Sequence, residues 1–147
     1  MFKSELVLEA MENKPDFWVV KAPLVWNEIP GSPSFANITV PVGFTTDLAS
    51  VPKIIRNIFD VDGRSRAPAV LHDWLYAVQR TTKTDADEFL RLALIATGEK
   101  PWVARTYWLG VHLGGASAWA GHTKNGIEVT FDSPASYTAW KNAGGKW

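Results

Sequence analysis

Pro68-Ala69-Val70-Leu71-His72-Asp73-Trp74-Leu75-Tyr76-Ala77-Val78 is the stretch that decides the fold. Val70, Leu71, Trp74, Leu75 and Val78 recur at helical spacing, which predicts a helix with one broad apolar face. Into that pattern the chain sets an imidazole, a carboxylate and a phenol. A histidine and an aspartate side by side in a hydrophobic stretch are costly to bury, and groups of this kind are hydrogen-bonded, metal-bound or catalytic. His72 and Tyr76 are four residues apart and share a face, and Asp73 and Tyr76, three apart, are also neighbours. Adjacent residues point about 100° apart on a helix. Asp73 is therefore badly placed to orient His72 and better placed to hold a cation, so the imidazole needs an acid from elsewhere.

Toward the C-terminus, Thr81-Thr82-Lys83 is a short link to a third helix over Asp85 to Thr97, closed by Gly98. A link this short makes the two helices antiparallel. Pro101 starts a fourth helix that runs toward Leu113. Gly110 and Gly114, with Ala116, Ser117 and Ala118, form a small-residue seam that admits close packing of another backbone. On the N-terminal side, Val51 to Phe59 reads as a short first helix with Ser50 as N-cap and Pro52 near N1, ended by Asp60-Val61-Asp62-Gly63.

Farther out the pattern changes to strands. Ser4 to Glu9 is compatible with a strand, Glu12-Asn13-Lys14-Pro15 with a turn, and Phe17 to Lys21 with a second strand that Pro23 limits. Asn27 to Asn37, holding Pro30, Gly31 and Pro33, reads as a loop. Ile38 to Val42 predicts a third strand, with Pro41 favouring an edge or bulge. Ile127-Glu128-Val129-Thr130-Phe131 alternates strictly and predicts a late strand, and the tail with Gly144-Gly145 reads as loose. The expected class is α+β, with N-terminal antiparallel strands, a central bundle of three to four helices and a late C-terminal strand. A single domain over residues 1–147 is expected.

Composition narrows the function classes. Fifteen basic and fifteen acidic residues give a formal net charge of zero, so nothing favours non-specific attraction to nucleic acid. The absence of cysteine removes disulfides, thiolate metal sites and thiol nucleophiles. The N-terminus lacks the continuous apolar region of a signal peptide, and no segment predicts a membrane span. Eight tryptophans are many for this length. They fill a small core, or some of them sit on a surface that meets another subunit or a sugar.

Three regions carry candidate chemistry. His72 is the candidate base and Asp73 the candidate metal ligand. Asp87, at the start of the next helix, either orients His72 or acts as N3 of a capping box whose N-cap is Thr84. In the loop Gly43-Phe44-Thr45-Thr46-Asp47-Leu48-Ala49-Ser50-Val51-Pro52, Asp47 is either an oxygen ligand or part of an Asx-turn, and Ser50 is a helix cap. His112 and His122 have no second ligand at i+4 and read as structural. No H-E-x-x-H, G-x-S-x-G or P-loop motif occurs.

Two resemblances arise at these residues. The string G-F-T-T-D-L-A-S-V-P, A-V-L-H-D-W-L-Y and A-D-E-F-L, followed by the Trp/Tyr/Gly-rich helix, resembles an uncharacterised phage and prophage family, domain of unknown function 1353. The likeness runs from about Val40 to Gly115 and implies a bacteriophage or prophage origin without an activity. H-D-x-x-Y on one helix, followed by an aspartate on the next, is similar to the core of secreted calcium-dependent phospholipases. That likeness implies His72 as general base for water, Asp73 as calcium ligand, and Tyr76 with Asp87 as the support of the histidine. The glycine-rich calcium loop of those enzymes has no counterpart before His72, and Asp47 is the candidate replacement.

Together these readings lead to the expectation of a virion-associated protein, linked to a tail, spike or fibre, with a His-Asp hydrolytic site. The alternative is a metal-assisted hydrolase, using calcium or zinc, of a cell-envelope ester or amide. A small phage protein acting on a host system is a further alternative. Expected partners are other phage structural proteins or a second copy of the chain, with envelope contact but neither nucleic acid nor a membrane span. The expected location is the phage particle, or the host cytoplasm before assembly.

Overall fold

The computed structural model describes residues 1–27, 37–48, 53–59 and 63–145, except for the side chains of residues 56, 58 and 59. The loop prolines Pro30 and Pro33, the Ser50 cap with Pro52, and the helix-ending Asp60 and Asp62 lie outside the described residues. The class is α+β: short antiparallel strands come first and helices dominate the rest. The chain groups into two compact units, Met1–Asp47 with Asn125–Trp147, and Leu48–Lys124.

The first unit holds two small sheets. β1 (Leu8–Ala10), β2 (Trp18–Val20) and β5 (Thr45–Thr46) form one, in the order β1-β2-β5. The register pairs Leu8 with Val20 and Val19 with Thr45. β3 (Leu24–Trp26) and β4 (Ile38–Val40) form the other, pairing Leu24 with Val40 and Trp26 with Ile38. Pro23 and Pro41 each flank a strand rather than lie inside one, as a missing ladder donor requires. β3 and β5 were not expected from sequence: they are three and two residues long, too short for a period of two to stand out.

The expected late strand over Ile127–Phe131 is a 3-10 turn, Glu128–Thr130, instead. The Ile127 carbonyl accepts from the Thr130 backbone N–H at 3.0 Å and from the Thr130 hydroxyl at 2.6 Å. These local bonds compete with a ladder and win. Only Phe131 keeps strand-like pairing, as a single bridge to Phe44. The tail is not loose up to Gly145. α6 (Pro134–Asn142) takes Ser133 as N-cap and closes with Gly145 N–H donating to Trp140 O at 3.0 Å.

The second unit is helical: α1 (Lys53–Phe59), α2 (Arg66–Val78), α3 (Lys83–Ala96), α4 (Pro101–Gly114) and α5 (Ala116–Asn125). Its core gathers Ala69 of α2, Leu90 and Leu94 of α3, and Val103, Ala104, Tyr107 and Val111 of α4. α2 differs from the amphipathic expectation, since every residue from Pro68 to Ala77 is buried. A helix without a polar face can keep His72, Asp73 and Tyr76 only if their polar atoms find partners. α2 stops at Gln79, a left-handed residue at φ 47°. Its side-chain amide donates to Trp119 O at 2.8 Å and accepts from the Thr123 hydroxyl at 2.8 Å, tying the end of α2 to α5.

Candidate active site

The N-terminus of α3 fixes what Asp87 is free to do. The N-cap is Thr82, whose Oγ1 accepts from Asp85 N–H at 3.1 Å and donates to Asp85 Oδ2 at 2.8 Å. The capping pair is therefore Thr82 and Asp85, two residues earlier than the predicted Thr84 and Asp87. Asp87 lies beyond the cap, on the second turn, with no exposed surface.

Its carboxylate is instead the centre of a buried network. His72 Nε2 lies 2.8 Å from Oδ1, and the Tyr76 hydroxyl donates to the same oxygen at 2.7 Å. Lys83 Nζ donates to Oδ2 at 2.7 Å. His72, Tyr76 and Asp87 have no solvent exposure, and Asp73 has 6%. The rings of His72 and Tyr76 sit 4.2 Å apart between centroids, as their i, i+4 spacing on α2 allows. Tyr76 also meets Trp119 edge-on at 5.1 Å.

Burial alone would raise the Asp87 pKa, but the hydrogen bonds from His72, Lys83 and Tyr76 outweigh it and hold the carboxyl below its usual range. Asp87 is thus ionised and only accepts. The Nε2 of His72 must carry a proton, and in the neutral ring Nδ1 holds the lone pair. That Nδ1 is buried and has no hydrogen-bond partner among the described residues. Burial, followed by the hydrogen bond to Asp87 and the negative charges of Asp87 and Asp73, pushes the Tyr76 phenol far above its usual range. It stays protonated and serves as a donor.

Lys83 belongs to this network and His112 adjoins it, although neither was singled out for it in sequence. The Lys83 ammonium also donates to Val111 O at 3.1 Å and His112 O at 3.2 Å, carbonyls in the last turn of α4. A cation there suits both the orphan carbonyls and the helix dipole. The legible signal was the i, i+4 spacing of Lys83 and Asp87. The imidazole of His112 puts Nδ1 3.6 Å from Asp87 Oδ2 and stacks on Trp108 at 4.6 Å. The small-residue seam acts at one position. A Cβ on Gly115 would lie 2.5 Å from the Tyr76 hydroxyl and 2.4 Å from Val111 O, whereas one on Gly114 would meet nothing within 4 Å.

The predicted metal ligands fare differently. Asp73 lies on α2 in the helical unit, and Asp47 follows β5 in the strand unit. No three His, Asp or Glu side chains among the described residues gather as a metal-binding set. No helix among the described residues is long and apolar enough to cross a membrane.

A family model described as a protein of unknown function, DUF1353, matches residues 18–111. That span runs from β2 through most of α4 and contains every member of the network up to Val111. No curated protein and no solved structure matches the chain.

Proposed function

The chain belongs to the DUF1353 family, and on that premise we propose that it is a bacteriophage particle component carrying a His-Asp hydrolytic site for an ester or amide of the cell envelope. One observation carries the hydrolytic reading: the orphaned Nδ1 of His72, left bare by an Nε2–H fixed on an ionised carboxylate. Buried imidazoles that only stabilise a fold mostly satisfy both nitrogens. The likeness of the motif string to phage and prophage proteins supports placement in a particle.

In the proposed reaction, Nδ1 takes a proton from water as the water oxygen attacks the carbonyl carbon. The proton then passes from Nδ1 to the leaving oxygen or nitrogen as the tetrahedral intermediate collapses. Asp87 holds the ring in the tautomer that bares Nδ1 and stabilises the imidazolium once it forms. Tyr76 and Lys83 keep Asp87 in place and charged. Full burial of His72 also means that substrate enters only when the cover over the site opens.

The test compares hydrolysis of phospholipid vesicles, peptidoglycan peptides and O-acetylated cell-wall glycan by the wild type and His72→Gln, with and without chelator. Tyr76→Phe serves as a second variant, since it removes one support of Asp87 and leaves the imidazole in place. The expected result is chelator-insensitive release of product from one substrate class, lost in His72→Gln and weakened in Tyr76→Phe. Equal background from folded wild type and His72→Gln on all three overturns the hydrolytic reading. For the particle assignment, the expected result is detection of the chain in purified virions, and its absence from them refutes that part.

A further inference from the structure

A cover over His72 must be an element that touches the network yet packs weakly, and α5 meets both conditions. Its ten residues hold one large apolar side chain, Trp119, and none of them is buried. A helix this short draws its stability from packing, so one that buries no residue opens at low cost. Both ends of α5 are glycines. Gly115 separates it from α4 and accepts its first helical bond, from Trp119 N–H at 3.0 Å, and Gly126 follows it at φ 76°. Small residues at the ends of an element are common hinge positions.

What α5 covers is the stripe of α2 that carries the chemistry. His72, Tyr76 and Gln79 follow one another at helical spacing and share a face. Trp119 stands edge-on to the Tyr76 ring, and a Cβ on Gly115 would lie 2.5 Å from the Tyr76 hydroxyl. One turn back along the stripe is the His72 ring, 4.2 Å from that of Tyr76. At the other end the Gln79 amide donates to Trp119 O and accepts from the Thr123 hydroxyl, both at 2.8 Å. Thr123 is exposed and Gln79 half-buried, so water can replace both bonds at modest cost. Gln79 sits at φ 47°, a conformation that favours glycine or asparagine. Glycine would end α2 with less strain, so the use of glutamine here lies in its side chain.

We propose that α5 is a hinged lid over the His72–Tyr76–Asp87 network and that Gln79 is its latch. With the bonds to Trp119 and Thr123 made, the network is sealed. With both released, α5 pivots at Gly115 and Gly126, lifts the Trp119 indole from Tyr76 and opens the way to His72. This role rests on the reading of His72 as a base and names the gate of that same site.

Gln79→Gly removes the latch and keeps the left-handed helix end, and Thr123→Val removes one of the two bonds at an exposed position. Hydrogen exchange of the α5 amides and hydroxyl-radical footprinting of Tyr76 are read by mass spectrometry on the full chain, with the core residue Tyr107 as control. In Gln79→Gly both rates should rise about fivefold or more, the factor that one net hydrogen bond supplies. Thr123→Val should give a smaller rise, and Tyr107 oxidation and the melting temperature should stay at wild-type values in both. Wild-type rates at α5 and Tyr76 in Gln79→Gly overturn the proposal, and so does a rise at Tyr107 equal to that at Tyr76. Neither readout uses turnover, so a folded chain that hydrolyses nothing refutes His72 as a base without bearing on the cover. On a substrate that is hydrolysed, the rate should rise with access to Tyr76, and a rate that holds or falls while the cover opens refutes gating.

Discussion

Replacing Asp87 with alanine tests the network most directly. The substitution orphans three donors at once: His72 Nε2–H, the Tyr76 hydroxyl and the Lys83 ammonium. Two of these belong to side chains with no solvent exposure, and only Lys83 can turn toward water. Removing one partner of a buried charged pair costs about 3–5 kcal/mol. For a chain of this length, at about 3 °C per kcal/mol, the melting temperature should fall by about 10–15 °C.

Asp87→Asn keeps the shape and removes the charge, and it adds a sign test. The folded pKa of Asp87 lies below its ordinary value near 3.8. Its stabilising contribution is therefore full above about pH 4 and is lost as pH falls through the folded pKa. Wild type should lose stability on acidification more steeply than Asp87→Asn, and the two curves should converge at the acid end. Urea unfolding followed by tryptophan fluorescence between pH 2 and 7 measures both effects, taken as roughly the window over which linkage acts. A cost for Asp87→Ala below about 1 kcal/mol, within the reach of a single neutral hydrogen bond, refutes the reasoning. So do parallel acid limbs.

Three further expectations follow from local geometry. Gly115→Ala should cost about 1–3 kcal/mol in urea unfolding, because its Cβ meets the Tyr76 hydroxyl and a backbone carbonyl, whereas Gly114→Ala should be neutral or stabilise by up to about 1 kcal/mol. Thr82→Ala should cost about 1 kcal/mol through loss of the cap, and Thr84→Ala almost nothing; reversed values in thermal melts would restore the capping box at Thr84. In an alkaline absorbance titration Tyr76 should yield tyrosinate only on unfolding, so Tyr76→Phe should leave the titration of the folded state unchanged.

Much of this architecture is legible in the residues. The helical spacing of Val70, Leu71, Trp74 and Leu75 marks α2, and the same geometry separates Asp73 from His72 and sends the imidazole to Asp87. The role of Asp87 stayed open in sequence because Thr81, Thr82 and Thr84 can each cap a helix. Only the start of α3 at Lys83 decides between them. Lys83 escaped notice since its i, i+4 partner is also a candidate cap, and its bonds to Val111 and His112 carbonyls depend on how α3 meets α4. The alternation of Ile127 to Phe131 misled because a five-residue period of two carries no information about competing Thr130 hydrogen bonds. Gly115 could not be told from Gly114 without knowing where the Tyr76 hydroxyl ends.

The bare Nδ1 of His72 gives the molecule a built-in clock. A reagent that acylates imidazole needs a free ring nitrogen, and this one has no hydrogen-bond partner among the described residues but is sealed. Modification of His72 should therefore proceed only as fast as the protein breathes around α2. Compared with modification of the partly exposed His112 in the same sample, the rate reports the free energy of local opening. The side chain proposed as the base thereby doubles as a gauge of how often that site opens, and it needs no introduced label.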